Sequence, residues 1–126
     1  MDFKESMAKF VYEGTRIHAT AIECPIIPKP WEEREQDFRA QFIRLIEDLV
    51  CGKRDFRDFE AAHDSWMVKY FEMGWKYGDA YDPEKRIHPD LVPYNELDPK
   101  EKVKDEVFVD LVNIAKTCVW PFKDGE

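Results

Sequence analysis

The sequence predicts a mainly α-helical fold: about four helices in one compact domain, with a short irregular or β-ribbon segment between the third and fourth helices. Apolar residues recur at spacings of three and four along most of the chain. Helix-start and helix-stop residues divide these runs into four, with proline or glycine near each boundary. Between Gly74 and Leu97 the helical period disappears, while prolines, glycines and aromatic residues become dense.

The length and charge of the chain limit what it can be. A chain of 126 residues has the size of one domain. We divide it into an N-terminal helical part, residues 1–54, and a motif core, residues 55–118. Its 18 aromatic residues can build a core although 37% of the chain is charged. The formal net charge of −8 argues against broad binding to nucleic acids or anionic membranes, since both need a basic surface.

The three cysteines, Cys24, Cys51 and Cys118, lie far apart and form no C-x-x-C motif. We therefore expect neither a zinc site nor a disulfide framework, and no cofactor. The first residues lack a basic stretch followed by an apolar run, and no apolar segment has transmembrane length. A cytoplasmic location is the expectation.

The first helix is predicted from about Phe3 to Ile22. Its expected apolar stripe consists of Phe3, Met7, Phe10, Val11, Ile17, Ala21 and Ile22. Gly14 lies on the same stripe, where it is expected to let another backbone come close. Pro25 ends the helix, and the prolines that follow predict an extended connector over residues 26–29.

The second helix is predicted to start at Pro30-Trp31-Glu32-Glu33, because proline suits the first helical position and acids suit the positive end of the helix dipole. Its expected buried residues are Phe38, Phe42, Leu45, Ile46 and Leu49. Cys51-Gly52 ends it.

The third helix is predicted from a cap at Asp55 to Met73, with Gly74 as its stop. Its expected inner stripe consists of Phe59, His63, Trp66, Met67 and Tyr70. We expect Trp66 to lie in the core, and His63 to be a buried histidine that hydrogen-bonds the backbone.

The segment after Gly74 contains Trp75 and Tyr77, which alternate as in a short strand, and a turn sequence at residues 82–85 that suits a small hairpin. Asp98-Pro99-Lys100-Glu101 then starts the fourth helix as a variant of the capping box. Its expected stripe consists of Val103, Val107, Phe108, Leu111, Ile114, Ala115 and Cys118. Trp120-Pro121-Phe122 ends it.

The central stretch resembles the RyR repeat, the module named after ryanodine receptors. The matching residues are His63, Trp66, Gly74-Trp75, Tyr77-Gly78, Asp82, Lys85, His88-Pro89, Leu91-Val92, Pro93-Tyr94, Leu97, Lys104 and Asp105. Arg16-Ile17-His18 and Trp31 also resemble the small standalone RyR proteins of bacteria and phages. The chain departs from the usual pattern at residues 79–81, where Gly-Pro-Val is common, and at Asp90, where a cysteine often follows His-Pro.

The resemblance implies a mainly helical domain that senses a small ligand, with nucleotide-derived and other anionic compounds as the favoured class. The ligand-binding candidates are Trp75, Tyr77, Lys85, Arg86 and His88. The two rings either offer a stacking face or pin the irregular segment. The three basic groups either hold an anion or form surface ion pairs with nearby acids such as Asp82 and Glu84.

A protein-interaction module without a small ligand is the alternative function. Its candidate surfaces are the connector from Ile26 to Trp31 and the Trp120-Pro121-Phe122 tail. No catalytic residues are proposed and the chain is not expected to be an enzyme, because no pairing of nucleophile and base emerges. No metal site is expected either, since His18, His63 and His88 are scattered.

Overall fold

The computed structural model describes residues 2–56 and 58–118, and in this part of the chain it confirms the mainly helical fold with four helices. Helix α1 spans Phe3–Ala21, α2 spans Gln36–Val50, α3 spans Phe59–Glu72 and α4 spans Pro99–Thr117. Strands β1, Lys76–Tyr77, and β2, Ile87–His88, lie between α3 and α4. None of the described helices is long and apolar enough to cross a membrane.

The helix ends follow local capping chemistry. Asp2 accepts from the backbone N–H groups of Lys4 and Glu5 and so caps α1, and Asp98 accepts from Lys100 and caps α4. The predicted Asp55 cap of α3 is wrong. Asp58 caps the helix instead: its carboxylate accepts from the N–H of Ala61 at 2.8 Å, and α3 begins at Phe59. Both acids have side chains that can cap a helix, and the structure uses the second.

The predicted start of the second helix is also wrong. Trp31–Glu33 forms only a single 3-10 turn, and α2 begins at Gln36. The backbone of Arg34 and Glu35 is extended between them, with ψ of 156° and 145°. This break directs the Arg34 side chain into the interior, where it meets two tyrosines from other helices.

The core draws on both halves of the chain. Helix α1 packs against α2 and α4, and α3 packs against α4. The predicted stripe of α1 is rotated, because Phe3, Phe10 and Ile17 are exposed. The core side chains include Met7, Val11, Tyr12, Trp31, Phe38, Ile46, Leu49, Tyr70, Trp75, Leu91 and Val112. Gly14 makes room for a side chain and not for a backbone: a Cβ there would lie 2.7 Å from Leu111 Cδ1.

The segment between α3 and α4 is not a hairpin, because β1 and β2 pair in parallel. The backbone groups of Asp82 and Ile87 exchange two hydrogen bonds, of 3.0 and 2.9 Å, which close a tight loop over residues 82–87. The chain therefore reverses direction twice after β1, and β2 returns beside β1 with the same polarity. Gly74 has a φ of +90°, which favours glycine at the exit from α3.

Gly78 is the tightest point of this segment. A Cβ at Gly78 would lie 2.3 Å from Ile87 Cγ2, and this branched side chain has little freedom to move. We expect Gly78→Ala to lower the free energy of unfolding by about 1–3 kcal/mol, measured by urea denaturation. In an Ile87→Ala background the same change is expected to cost much less, since the colliding methyl is gone. Equal costs in both backgrounds would contradict this contact.

Candidate functional site

A cavity of about 140 Å³ that is partly open to solvent lies between the helices, and all four helices contribute to its wall. The segment between α3 and α4 completes the wall through Tyr81, His88, Asp90 and Leu97. The lining includes aromatic rings and a set of inward polar groups. Such a combination is typical of small-molecule sites in proteins.

The aromatic wall is built by rings that contact one another. Phe38 and Phe42, one turn apart on α2, stack with centroids 5.5 Å apart. Trp66 and Tyr70 are likewise one turn apart on α3, and their ring centroids lie 4.3 Å apart. Because neighbouring rings one helical turn apart pack against each other, each ring of the cavity wall is held in position by the next.

Arg34 brings a positive charge to the cavity wall. The residue is buried, with only 6% of its surface exposed. Its guanidinium lies 3.5 Å from the centroid of the Phe38 ring. Nη1 donates to the hydroxyl of Tyr12 at 3.0 Å, and Nη2 donates to the hydroxyl of Tyr70 at 2.9 Å. Nε faces the carboxylate of Glu35 at 3.3 and 3.4 Å.

His63 is buried and hydrogen-bonds the backbone, as predicted, and it also pairs with an acid. Nε2 lies 2.7 Å from the carbonyl oxygen of Val92, and Nδ1 lies 3.2 Å from Asp105 Oδ2. Burial is the largest single effect and lowers the pKa of His63, but the hydrogen bond and the charge of Asp105, together with the bond to the Val92 carbonyl, outweigh it and raise the pKa. Burial also raises the pKa of Asp105, against the opposing effect of His63. The pair ties α3 to α4 at the edge of the cavity.

A second ionic group lies on the α4 side. Lys104 Nζ pairs with Glu101 Oε1 at 2.6 Å and donates to the carbonyl oxygen of Ile26 at 2.9 Å. Burial, together with a hydrogen bond with Glu101, raises the pKa of Asp90 to about 8. At neutral pH, Asp90 therefore carries a proton most of the time. Glu101 was expected to serve the capping box of α4, but its side chain points into the interior and is 1% exposed.

His88 stands between these polar groups and the aromatic wall. Its ring centroid lies 4.9 Å from that of Trp66 and 5.0 Å from that of Tyr81. Burial, together with the charges of Lys104 and Arg34, lowers the pKa of His88 to about 3, so the ring is neutral. Nδ1 accepts from the N–H of Asp90, which leaves the ring proton on Nε2.

The five predicted ligand-binding residues are not brought together. His88 lines the cavity, whereas Trp75, 3% exposed, lies in the core with its centroid 5.9 Å from that of His88. Tyr77 is exposed and donates to the carboxylate of Asp79. Lys85 is also exposed, on the loop between the strands.

Arg86 has a structural partner outside the cavity. Its terminal nitrogens bond both carboxylate oxygens of Asp37, at 2.8 and 3.1 Å, and Nη1 also donates to the carbonyl oxygen of Met73 at 2.7 Å. This pair fastens the irregular segment to the start of α2. The local acids that were considered as partners are not the ones it bonds.

Sequence reasoning missed Arg34, because an arginine after two acids at a predicted helix start looks like a solvated residue. It also missed the half-buried acid Asp90 and the buried acid Glu101. A signal was present at Asp90, because both Asp90 and Tyr81, where the chain departs from the RyR pattern, line the cavity.

The connector proposed as an interaction surface is only partly exposed. Ile26 and Trp31 are buried, and Ile27 is 39% exposed. The other proposed surface, Trp120-Pro121-Phe122, lies outside the described residues.

Comparison with known families finds a match to the model described as RyR domain, over residues 57–118. The matched segment runs from the start of α3 to the end of α4 and includes both strands. A search of solved structures finds no match. Residues 57–118 are therefore similar to the RyR domain family.

Proposed function

We propose that this protein is a non-enzymatic small-ligand-binding or sensing module of the RyR type, and that an anionic ligand with a planar ring binds in the cavity. The observation that carries the proposal is the convergence of aromatic rings and the buried Arg34 on one internal space. The resemblance favours a nucleotide-derived or other anionic ligand. The same proposal includes a relationship to the small standalone RyR proteins of bacteria and phages, and a cytoplasmic location.

The charge of the lining supports an anion. Its described residues include four Lys or Arg and three Asp or Glu, in a chain whose net charge is −8. One of the three acids is Asp90, whose raised pKa of about 8 makes it mostly neutral at pH 7. The cavity is thus locally cationic within an acidic protein, which favours anionic ligands.

The size of the cavity narrows the ligand class. A volume of about 140 Å³ suits one aromatic ring, since cavities of roughly 150 Å³ accommodate benzene. The proposal is therefore a ring that carries one acidic group, either as a whole ligand or as the part of a larger one that enters the protein.

A thermal-shift screen tests the proposal. The panel comprises aromatic carboxylates, nucleotides, nicotinamide-derived compounds and simple phosphates. A ligand at a hundred times its Kd adds about 2.7 kcal/mol, which raises Tm by several degrees in a domain of this size. A saturable shift from one class supports the proposal, and a flat panel in a protein that unfolds cooperatively favours the interaction module.

A pair of variants then locates the ligand. Ser65 lines the cavity, and its buried Oγ has no hydrogen-bond partner among the described residues, while Asp64 is exposed one position earlier on the same helix. We expect Ser65→Leu to fill the cavity and weaken binding by about tenfold or more, which corresponds to 1.4 kcal/mol. Asp64→Leu is the control and is expected to keep the affinity. Isothermal titration calorimetry measures both, and equal affinities would place the ligand elsewhere.

A further inference from the structure

We infer that Arg34 is the anion-binding residue of the cavity, and that it binds a carboxylate or phosphate through one N–H on each of its two terminal nitrogens. The inference rests on the proposed function and names the ligand chemistry that the cavity selects. Residue 34 lies outside the segment that matches the RyR domain.

The hydrogen bonds of Arg34 leave part of its donor capacity unused. A guanidinium has five N–H groups. The bonds to Glu35, Tyr12 and Tyr70 use one on each of the three nitrogens. One N–H on each terminal nitrogen therefore has no acceptor within residues 2–56 and 58–118.

The burial of Arg34 makes these unused donors costly. A buried charge is normally paired at close range and fully hydrogen-bonded, because the protein interior solvates it poorly. The one carboxylate in contact, that of Glu35, stands at 3.3 Å from Nε on the solvent side, and 23% of its side chain is exposed. A second anion on the terminal nitrogens would complete the site.

The other cations of the lining are already engaged. Arg16 and Lys104 each pair at 2.6 Å with a carboxylate three positions away on the same helix. Lys69 pairs in the same way at 3.9 Å, and a third of its side chain is exposed. Arg34 thus combines burial, unused donors and a position on the cavity wall.

The geometry around Arg34 is held before any ligand arrives. The hydroxyl of Tyr12 accepts from Arg34 and donates to the carbonyl oxygen of Lys29. The hydroxyl of Tyr70 accepts from Arg34, and no acceptor for its own proton is found in the described part of the chain. Its proton is a third donor beside the two N–H groups, and a planar anion suits such a row of donors.

An NMR titration with three small probes tests the inference. Benzoate and phenyl phosphate carry a ring and an anion, and benzamide is the neutral match of benzoate. We expect at least one anion to bind the wild-type protein about tenfold more tightly than benzamide and to shift the Arg34 Nε–H resonance. The better of the two anions shows whether the site prefers a carboxylate or a phosphate.

Two arginine variants provide the contrast. Arg34→Lys keeps the charge but loses the paired donors, so the anion is expected to bind about tenfold more weakly. Arg86→Lys makes the same exchange outside the cavity lining and is expected to keep the affinity. Should Arg34→Lys fail to fold, Tyr70→Phe removes one donor and is expected to weaken the anion severalfold.

The other possible results contradict either the role of Arg34 alone or the proposed function as well. If benzamide binds as tightly as benzoate, the cavity still binds a ligand, but Arg34 is not its anion-binding residue. Unchanged anion affinity in a folded Arg34→Lys or Tyr70→Phe protein would lead to the same conclusion. If no probe moves the resonances of cavity residues, both this inference and the proposed function are wrong.

Discussion

Trp31→Ala is expected to lower the free energy of unfolding by about 3–5 kcal/mol, because it removes a large side chain from the centre of the core. Only 1% of Trp31 is exposed. Its ring lies 5.5–6.5 Å, between centroids, from Tyr12, Phe38 and Phe42, and its indole N–H donates to Glu5 at 3.0 Å. Urea denaturation followed by circular dichroism measures the loss.

Two further variants separate burial from chemistry. Trp31→Phe keeps a ring but loses the bond to Glu5, and it should cost clearly less than Trp31→Ala. Phe71→Ala removes an aromatic ring that is 52% exposed and is expected to cost about 0.5 kcal/mol or less. A similar loss for Phe71→Ala and Trp31→Ala would contradict the placement of Trp31 in the core.

Asp90→Asn is expected to remove a fall in stability that the wild-type protein shows as the pH rises. Asp90 has a pKa of about 8 in the folded protein, against roughly 3.9 in an unfolded chain. Between these values only the folded state holds the proton, so stability falls as the pH rises from about 4 to 8. Asparagine stays neutral, and we expect it to be more stable than aspartate at pH 9 by several kcal/mol, since each unit of pKa difference corresponds to about 1.4 kcal/mol.

Urea denaturation at several pH values from about 3.5 to 9 checks this result. Below about pH 4 the two proteins should have similar stability, because aspartate is then mostly protonated in both the folded and the unfolded state and asparagine is neutral. The raised pKa values of His63 and Asp105 act in the same direction, and the lowered pKa of His88 acts in the opposite one, below about pH 6.5. Subtracting the variant curve from the wild-type curve therefore isolates Asp90. Asp79→Asn, at an exposed position, is the control, and a flat difference curve for Asp90→Asn would contradict the assignment.

The cavity joins the RyR segment to the rest of the chain. Residues 57–118 supply Trp66, His88 and Asp90, while Arg34 and the ring of Phe38 come from the other half. If the ligand binds as proposed, the matched segment alone cannot form the site. Its specificity then depends on residues beyond the family match.

Local sequence signals predicted the elements well where a single residue decides the conformation. Asp98 and Pro99 start α4 as expected, and Gly74, at a φ of +90°, follows α3. Local signals failed to predict the helix start where two similar capping residues lie close together, as at Asp55 and Asp58. The parallel pairing of β1 and β2 was also beyond reach, since a turn sequence does not report a second reversal of the chain.

The candidate site shows the same division. Residue types alone indicated His63 as a buried histidine and His88 as a site residue, and His88 lines the cavity. No local pattern indicated that Arg86 bonds Asp37, 49 positions earlier, or that Arg34 bonds Tyr70, 36 positions later. Such contacts depend on how helices are arranged in space.

The sequence by itself determined the helical class, the RyR likeness of the central segment and most helix boundaries, because periodicity, caps and motif spacing act over a few residues. Only the tertiary structure decided which charged groups are buried and which face solvent. An arginine has the same local preferences in both settings, and the difference arises from the partners that distant elements place beside it.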